Sequence, residues 1–155
     1  MASYAQRSQR YCVEDGFEFV TPGSVASNPQ AAQIYQTVIA DIQKAYSELI
    51  ALGVAAEDAR MLLPNACTSV ICVKMNLREL IHFCNERLCA CAQWEIRNMT
   101  RAMVKEVLAV EPEFKTLLVP KCEAHYPYCF CTETKKRSCG RHPVISDVVA
   151  NTEDK

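Results

Sequence analysis

A helix-rich α+β fold is what this sequence predicts, and three observations predict it. Apolar residues recur every three or four positions between Asn28 and Gly53. Two further amphipathic stretches follow, over 76–87 and 92–108, and only two short runs, FEFV and TSVICV, carry the aromatic and β-branched residues of extended chain. With 155 residues, 50% of them hydrophobic, and only 4 Gly and 7 Pro, the chain has about one domain's length and enough apolar surface to bury a core.

The elements follow in order. Residues 2–20 are polar and then aromatic, ending in FEFV before the breaker TPGS, which predicts a loop leading into a short extended segment. Its partners in a sheet are expected to lie outside this chain. Asn28 has the chemistry of an N-cap and Pro29 that of a first helical residue; Ile34, Val38, Ile42, Tyr46 and Leu49 then mark one face until Gly53. A short helical piece over 55–63 is stopped by Pro64, and TSVICV predicts a strand. Asn76, with Glu79 three residues on, starts a helix that places Leu77, Leu80, Ile81 and Cys84 on one face and runs to Arg87. After a cysteine-rich bend, Ile96, Met99, Met103, Val104 and Val107 line a last helix over 92–108, before Pro112. The final ANTEDK reads as a polar, frayed end.

Charge narrows the function classes. Seventeen Lys+Arg against 18 Asp+Glu give a net charge of -1 and a pI of about 6.3, which argues against nucleic acid as a partner. No apolar run reaches the ~18 residues of a membrane span and MASYAQRSQR has no signal-peptide core, so a cytoplasmic protein with no membrane partner is expected. The ten cysteines then read as reduced thiols. Six of them, Cys12, Cys67, Cys72, Cys84, Cys89 and Cys91, stand in apolar or mixed surroundings, as small buried hydrophobes do. The other four, Cys122, Cys129, Cys131 and Cys139, crowd a loop-rich stretch with His125 inside it and His142 just beyond. Thiolates so grouped suit tetrahedral zinc, yet the paired Cys-x2-Cys knuckles of zinc ribbons are missing, and a reduced, loosely packed tail is the other reading.

No glycine-rich phosphate loop, His-Glu-x-x-His or Gly-x-Ser-x-Gly is present. Arginines stand out instead at the edges of the helices: Arg10, Arg60, Arg78 and Arg87. A guanidinium fork matches phosphate oxygens, although an arginine on a helix more often solvates a surface, and a lone helical histidine such as His82 is more often structural than catalytic.

The segments EDARMLLPNACTS, MNLRELIHFCNER and AQWEIR, in that order, resemble the core of the flavin-dependent thymidylate synthases. ASYAQRSQRY resembles the end of that family's signature, whose Arg-His-Arg would lie just upstream, and the tail ending in SCGR resembles that of a cysteine-bearing bacterial subgroup. The resemblance covers residues 2–141. It implies the helix-rich C-terminal part of that α+β fold, truncated so that the N-terminal strands are missing, with a core over 1–119, a cysteine-rich tail over 120–142 and a polar end over 143–155. It implies an FAD-dependent methyltransferase that converts dUMP to dTMP with methylenetetrahydrofolate as one-carbon donor and NADPH as hydride source, in a homotetramer whose sites are shared between subunits. The alternative is an inactive fragment that acts only as a nucleotide-binding or assembly module, zinc-bound or not.

Carried over residue by residue, the resemblance places Gln6, Arg7, Ser8, Gln9 and Arg10 on dUMP, with Arg60 joining from across a subunit interface. Arg87 would lie against the uracil ring as the catalytic residue, favouring its ionised form. Gln6, Asn76, Leu77, Arg78 and His82 match the flavin-contacting positions, His82 at one that varies. Ala5 and Gln6 stand where the signature often has Asn and Glu, so that Gln6 offers hydrogen bonds where a carboxylate would stand. Zinc, in this reading, is held by Cys122, Cys129, Cys131 and Cys139.

Overall fold

The computed structural model describes residues 2–153, which form two compact units: Ser3–Val73, and the chain from Lys74 onward together with Ala2. The architecture is helix-rich α+β with one two-stranded sheet.

The strand β1 (Ala2–Gln6) pairs with β2 (Ile71–Met75). The opening segment therefore has a partner inside the chain, contrary to expectation, and the ladder continues as Arg7 N–H donates to the Val70 carbonyl at 2.8 Å. The TSVICV run does two jobs where one strand is predicted. Its first residue and the two before it pair with FEFV through the antiparallel Phe19–Cys67 bridge, flanked by Val20 N–H to Ala66 O and Thr68 N–H to Glu18 O, both 2.9 Å; its end becomes β2. A short α1 (Gly23–Ala26) leads into α2 (Pro29–Ala51), the longest helix. Asn28 caps α2 as expected, its Oδ1 accepting from Gln30 N–H (3.1 Å) and Ala31 N–H (3.2 Å), and Gly53, at φ +84°, turns the chain where a side chain would be strained.

Ile39 and Tyr46 are the residues of α2 that go inward, beside Phe17 and Ala59. Ile34 and Val38, predicted for the buried face, are 67% and 50% exposed. The polar flank of α2 holds the 14–20 segment: Gln43 Nε2 donates to Phe17 O (2.7 Å), Tyr35 Oη to Val20 O (2.8 Å), Ser47 Oγ to Asp15, and Tyr46 Oη accepts from Glu14 N–H (3.0 Å). The predicted helical piece over 55–63 is α3 (Ala56–Ala59) followed by a 3-10 turn, Arg60–Leu62.

In the second unit, α4 (Leu77–Arg87) starts on Asn76, whose Oδ1 accepts from Glu79 N–H at 2.9 Å, and ends where predicted. α5 (Trp94–Val110) starts two residues later than expected because Gln93 is its cap, with Oε1 accepting from Glu95 N–H (2.8 Å) and Ile96 N–H (3.1 Å). Cys84, Thr100, Leu118, Cys131 and Val144 are buried. Thr100 Oγ1 satisfies itself on the Ile96 carbonyl at 2.6 Å. Two 3-10 turns, Pro112–Thr116 and Lys121–Glu123, carry the chain into the cysteine-rich tail, which Asn85 anchors by donating to the Val119 carbonyl (2.8 Å). The predicted polar end is helical instead: α6 (Ile145–Glu153) begins beyond a parallel bridge between Cys131 and Val144. The last two residues of that prediction, Asp154 and Lys155, lie outside the described residues.

Candidate functional site

Gln6, Arg7, Ser8, Gln9 and Arg60 line one cavity of about 280 Å³ in the first unit. Two guanidinium groups, two amides and a hydroxyl, with no carboxylate among them, form a set of donors suited to an anion. The end of β1 delivers Gln6, and a turn carries the rest: Ser8 O accepts from Cys12 N–H at 3.0 Å, while Ser8 Oγ accepts from Arg10 N–H at 3.3 Å. Gln9 Nε2 reaches the Cys67 sulfur at 3.8 Å, and burial pushes the Cys67 thiol up from its ordinary range. Arg60 arrives at the C-terminus of α3 and donates from Nε to the Glu57 carbonyl at 3.1 Å. It lines the same cavity as Gln6–Gln9 within one chain.

Two carboxylates tune this surface. Glu14 takes Arg7 Nε at 2.8 Å and holds that guanidinium firmly charged, first by the hydrogen bond and then by its charge. Glu57 takes Arg10 Nε at 2.7 Å, and the Arg10 guanidinium lies 5.2 Å from the centre of the exposed Tyr11 ring. Arg10 itself is not among the residues lining the cavity. Neither Glu14 nor Glu57 was singled out from sequence; the only signal each carried was an acidic residue near a segment rich in arginine.

Arg87, Asn76, Leu77, Arg78 and His82 all belong to the second unit. Asn76 to His82 occupy the first turns of α4, with Asn76, Leu77, Arg78 and His82 exposed. Glu79 N–H is taken by the Asn76 side chain and Leu80 N–H by its carbonyl (3.0 Å), whereas helical geometry gives the Leu77 and Arg78 N–H groups no intrahelical acceptor. Those donors beside the Arg78 guanidinium fit a phosphate-bearing group. Arg87, exposed in the last turn of α4, lines a second cavity of about 190 Å³ whose walls also include five cysteines of the α4–α5 turn and the tail.

All ten cysteines are free thiols. Of the six expected to be buried, Cys84 alone is; Cys12, Cys67 and Cys89 are half-buried, and Cys72 and Cys91 are exposed, because they fall on the open sides of β2 and of the bend before α5. Burial lifts the Cys84 thiol to about 11. The four predicted zinc thiols do not form one cluster among the described residues. Cys122 is grouped with Glu123 and His142, and Cys89 with Cys91 and Glu133, each set with its ligand atoms within 4.8 Å of one another. Cys131 and Cys139 line the same cavity as Cys122, and Cys129 does not.

Residues 1–113 match the model of the family described as thymidylate synthase complementing protein. The chain belongs to that family. Among its relatives, the flavin-dependent thymidylate synthase of Geobacter sulfurreducens is 44% identical over 124 residues, covering 79% of this chain and 53% of the relative. The enzyme of that name from Nitratidesulfovibrio vulgaris is 38% identical over 152 residues, covering 93% and 61%, and that from Pyrococcus furiosus 42% over 137 residues, covering 83% and 56%. The chain thus spans between about half and three-fifths of the length of these relatives. Among the described residues no helix is long and apolar enough to cross a membrane.

Proposed function

We propose that this chain is the nucleotide- and flavin-binding portion of a flavin-dependent thymidylate synthase, converting dUMP to dTMP with methylenetetrahydrofolate as one-carbon donor. The observation that carries the reading is the carboxylate-free cavity of Gln6, Arg7, Ser8, Gln9 and Arg60, in a chain 44% identical to an enzyme of that name. Arg7 and Arg60 hold the phosphate oxygens, Ser8 and Gln9 the phosphate and sugar edges, and Arg10 extends the positive field from beside Tyr11. Arg87 stands against the uracil ring. A guanidinium there favours the ionised, electron-rich ring, so that C5 attacks the incoming methylene without a prior cysteine addition.

Asn76, Leu77, Arg78 and His82, with Gln6, hold the flavin: the open N–H groups of the first α4 turn and the Arg78 guanidinium suit its diphosphate, and amide groups its ring edge. Bound FAD supplies hydride received from NADPH. The family core extends over 1–119, and the protein works in the cytoplasm as a homotetramer with sites shared between subunits. The exposed Ile34 and Val38 on α2 support such an assembly.

The test is the visible spectrum of the purified chain with FAD, titrated with dUMP. Retained flavin whose band shifts saturably with dUMP supports the reading, and Arg87→Ala then abolishes dTMP formation while leaving the flavin bound. A chain that neither retains flavin nor responds to dUMP overturns it.

A further inference from the structure

Five of the ten cysteines, Cys89, Cys91, Cys122, Cys131 and Cys139, face one cavity of about 190 Å³. They come from separate places in the second unit: the turn between α4 and α5, the Lys121–Glu123 turn, and the stretch that begins at the bridge residue Cys131. Sulfurs sharing a tetrahedral zinc ion at ~2.3 Å stand roughly 3.8 Å apart. The Cys89 and Cys91 sulfurs already lie within 4.8 Å of each other, and Cys122 lines the same cavity with its sulfur grouped beside Glu123 and His142.

Hydrophobic packing does not explain this convergence. Across the tail Pro120, Cys131 and Val144 are the buried residues, while Tyr126 and Tyr128 are 85% and 80% exposed, so the segment has little apolar burial with which to hold its turns. The charge around the cavity is also suited to a metal thiolate. One divalent ion with four thiolates leaves two negative charges, and the walls carry Arg87, Lys121, Arg137 and Arg141 against Glu86 and Glu133, a surplus of two positive charges.

We infer that this cavity is a structural zinc site in which four of its five thiols bind one ion, Cys89 and Cys122 being two of them. These two reach across from the α4–α5 turn to the tail, which makes the ion a staple between them; two of Cys91, Cys131 and Cys139 complete the tetrahedron. A set made wholly of thiolates selects a soft, closed-shell ion over magnesium or calcium, and four protein ligands leave no open position for water. Each ligand thiol gives its proton to solvent as the ion binds. The set differs from the four tail thiols that the sequence suggests, because Cys129 lies off the cavity and Cys89 on it.

The experiment is metal analysis of the full chain purified under reductant and without chelator, together with cobalt reconstitution of the stripped chain. One zinc per chain is expected, and cobalt should give the intense visible bands of a tetrahedral thiolate site. Cys89→Ser and Cys122→Ser should each lose the metal, as should two of the variants at 91, 131 and 139, while Cys129→Ser and Cys72→Ser retain it. The inference is overturned by a reduced native chain that holds no zinc and gives no cobalt thiolate spectrum. Zinc that survives Cys89→Ser or Cys122→Ser, or a disulfide between cavity thiols in its place, overturns it equally. The wild-type cobalt spectrum decides the matter even where a serine variant does not fold.

Discussion

Glu57 organises the anion cavity with two different atoms: its carboxylate holds Arg10 and its carbonyl holds Arg60. The carboxylate pair is about half-exposed on both sides, so it contributes little stability, ~0–1 kcal/mol at most. Glu57→Gln is therefore expected to leave the melting temperature almost unchanged and to alter dUMP affinity by about threefold or less. Arg60→Ala removes one of the cavity's two guanidinium groups, and calorimetric titration with dUMP should show binding weakened by about 10- to 100-fold, the ~1.5–3 kcal/mol of a charge-assisted hydrogen bond. Equal affinities for Arg60→Ala and wild type would remove Arg60 from the nucleotide site. The cavity residues were legible because ASYAQRSQRY and EDARMLLPNACTS match a known pattern position by position. The Arg10–Glu57 pair beside them was not legible, since the two are 47 residues apart and nothing in helical periodicity reports such a contact. The cysteines were misread for a related reason: an apolar neighbourhood in sequence says nothing about which side of the element a thiol occupies, and Cys84 alone of the six points inward.

Capping chemistry was the most legible feature at the scale of elements. Asn28 and Asn76 each cap a helix through Oδ1, and Gly53 ends α2 at a positive φ that only glycine adopts without strain. Asn28→Ala should cost about 1 kcal/mol in denaturant unfolding. Asn76→Ala should cost about the same and also weaken flavin binding, because it loosens the turn that presents the Leu77 and Arg78 N–H groups, whereas Asn76→Asp keeps an acceptor and the stability. An Asn76→Ala chain that is destabilised yet binds FAD as wild type does would take the α4 N-terminus out of the flavin site. Amphipathic pattern was less decisive. Ile34, Val38, Ile39, Ile42 and Tyr46 offer α2 two overlapping apolar faces, and the hydrogen bonds of Gln43, Ser47 and Tyr35 to the 14–20 segment select the one containing Ile39 and Tyr46. At the other end, attention to the polar ANTEDK hides the spacing of Ile145, Val148 and Val149, which suffices to continue the chain as α6.

For the molecule as a whole, family membership rests on residues 1–113 and the charge balance is near neutral, so its response to pH is governed by a few buried groups more than by net repulsion. Cys84, fully buried on α4, is the clearest of these: loss of hydration raises its thiol from the ordinary 9.0 to about 11. Its folded value lies above the unfolded one, so the native chain keeps a proton that the unfolded chain loses first. The stabilisation is complete below pH 9 and is lost as the pH climbs toward 11. The loss amounts to roughly 2 kcal/mol, with the half-buried thiol of Cys67, also raised chiefly by burial, acting in the same direction. Denaturant titrations of reduced protein at pH 8 and near pH 11 should show this fall. Lysine and tyrosine ionise in the same range, so the decisive quantity is the difference from Cys84→Ala, which removes the titrating group and should flatten the alkaline slope by roughly 2 kcal/mol while lowering stability slightly at pH 8. Parallel slopes for the two proteins would mean that the Cys84 thiol is hydrated in the folded chain, and that the inner face of α4 opens to solvent far more readily than its burial implies.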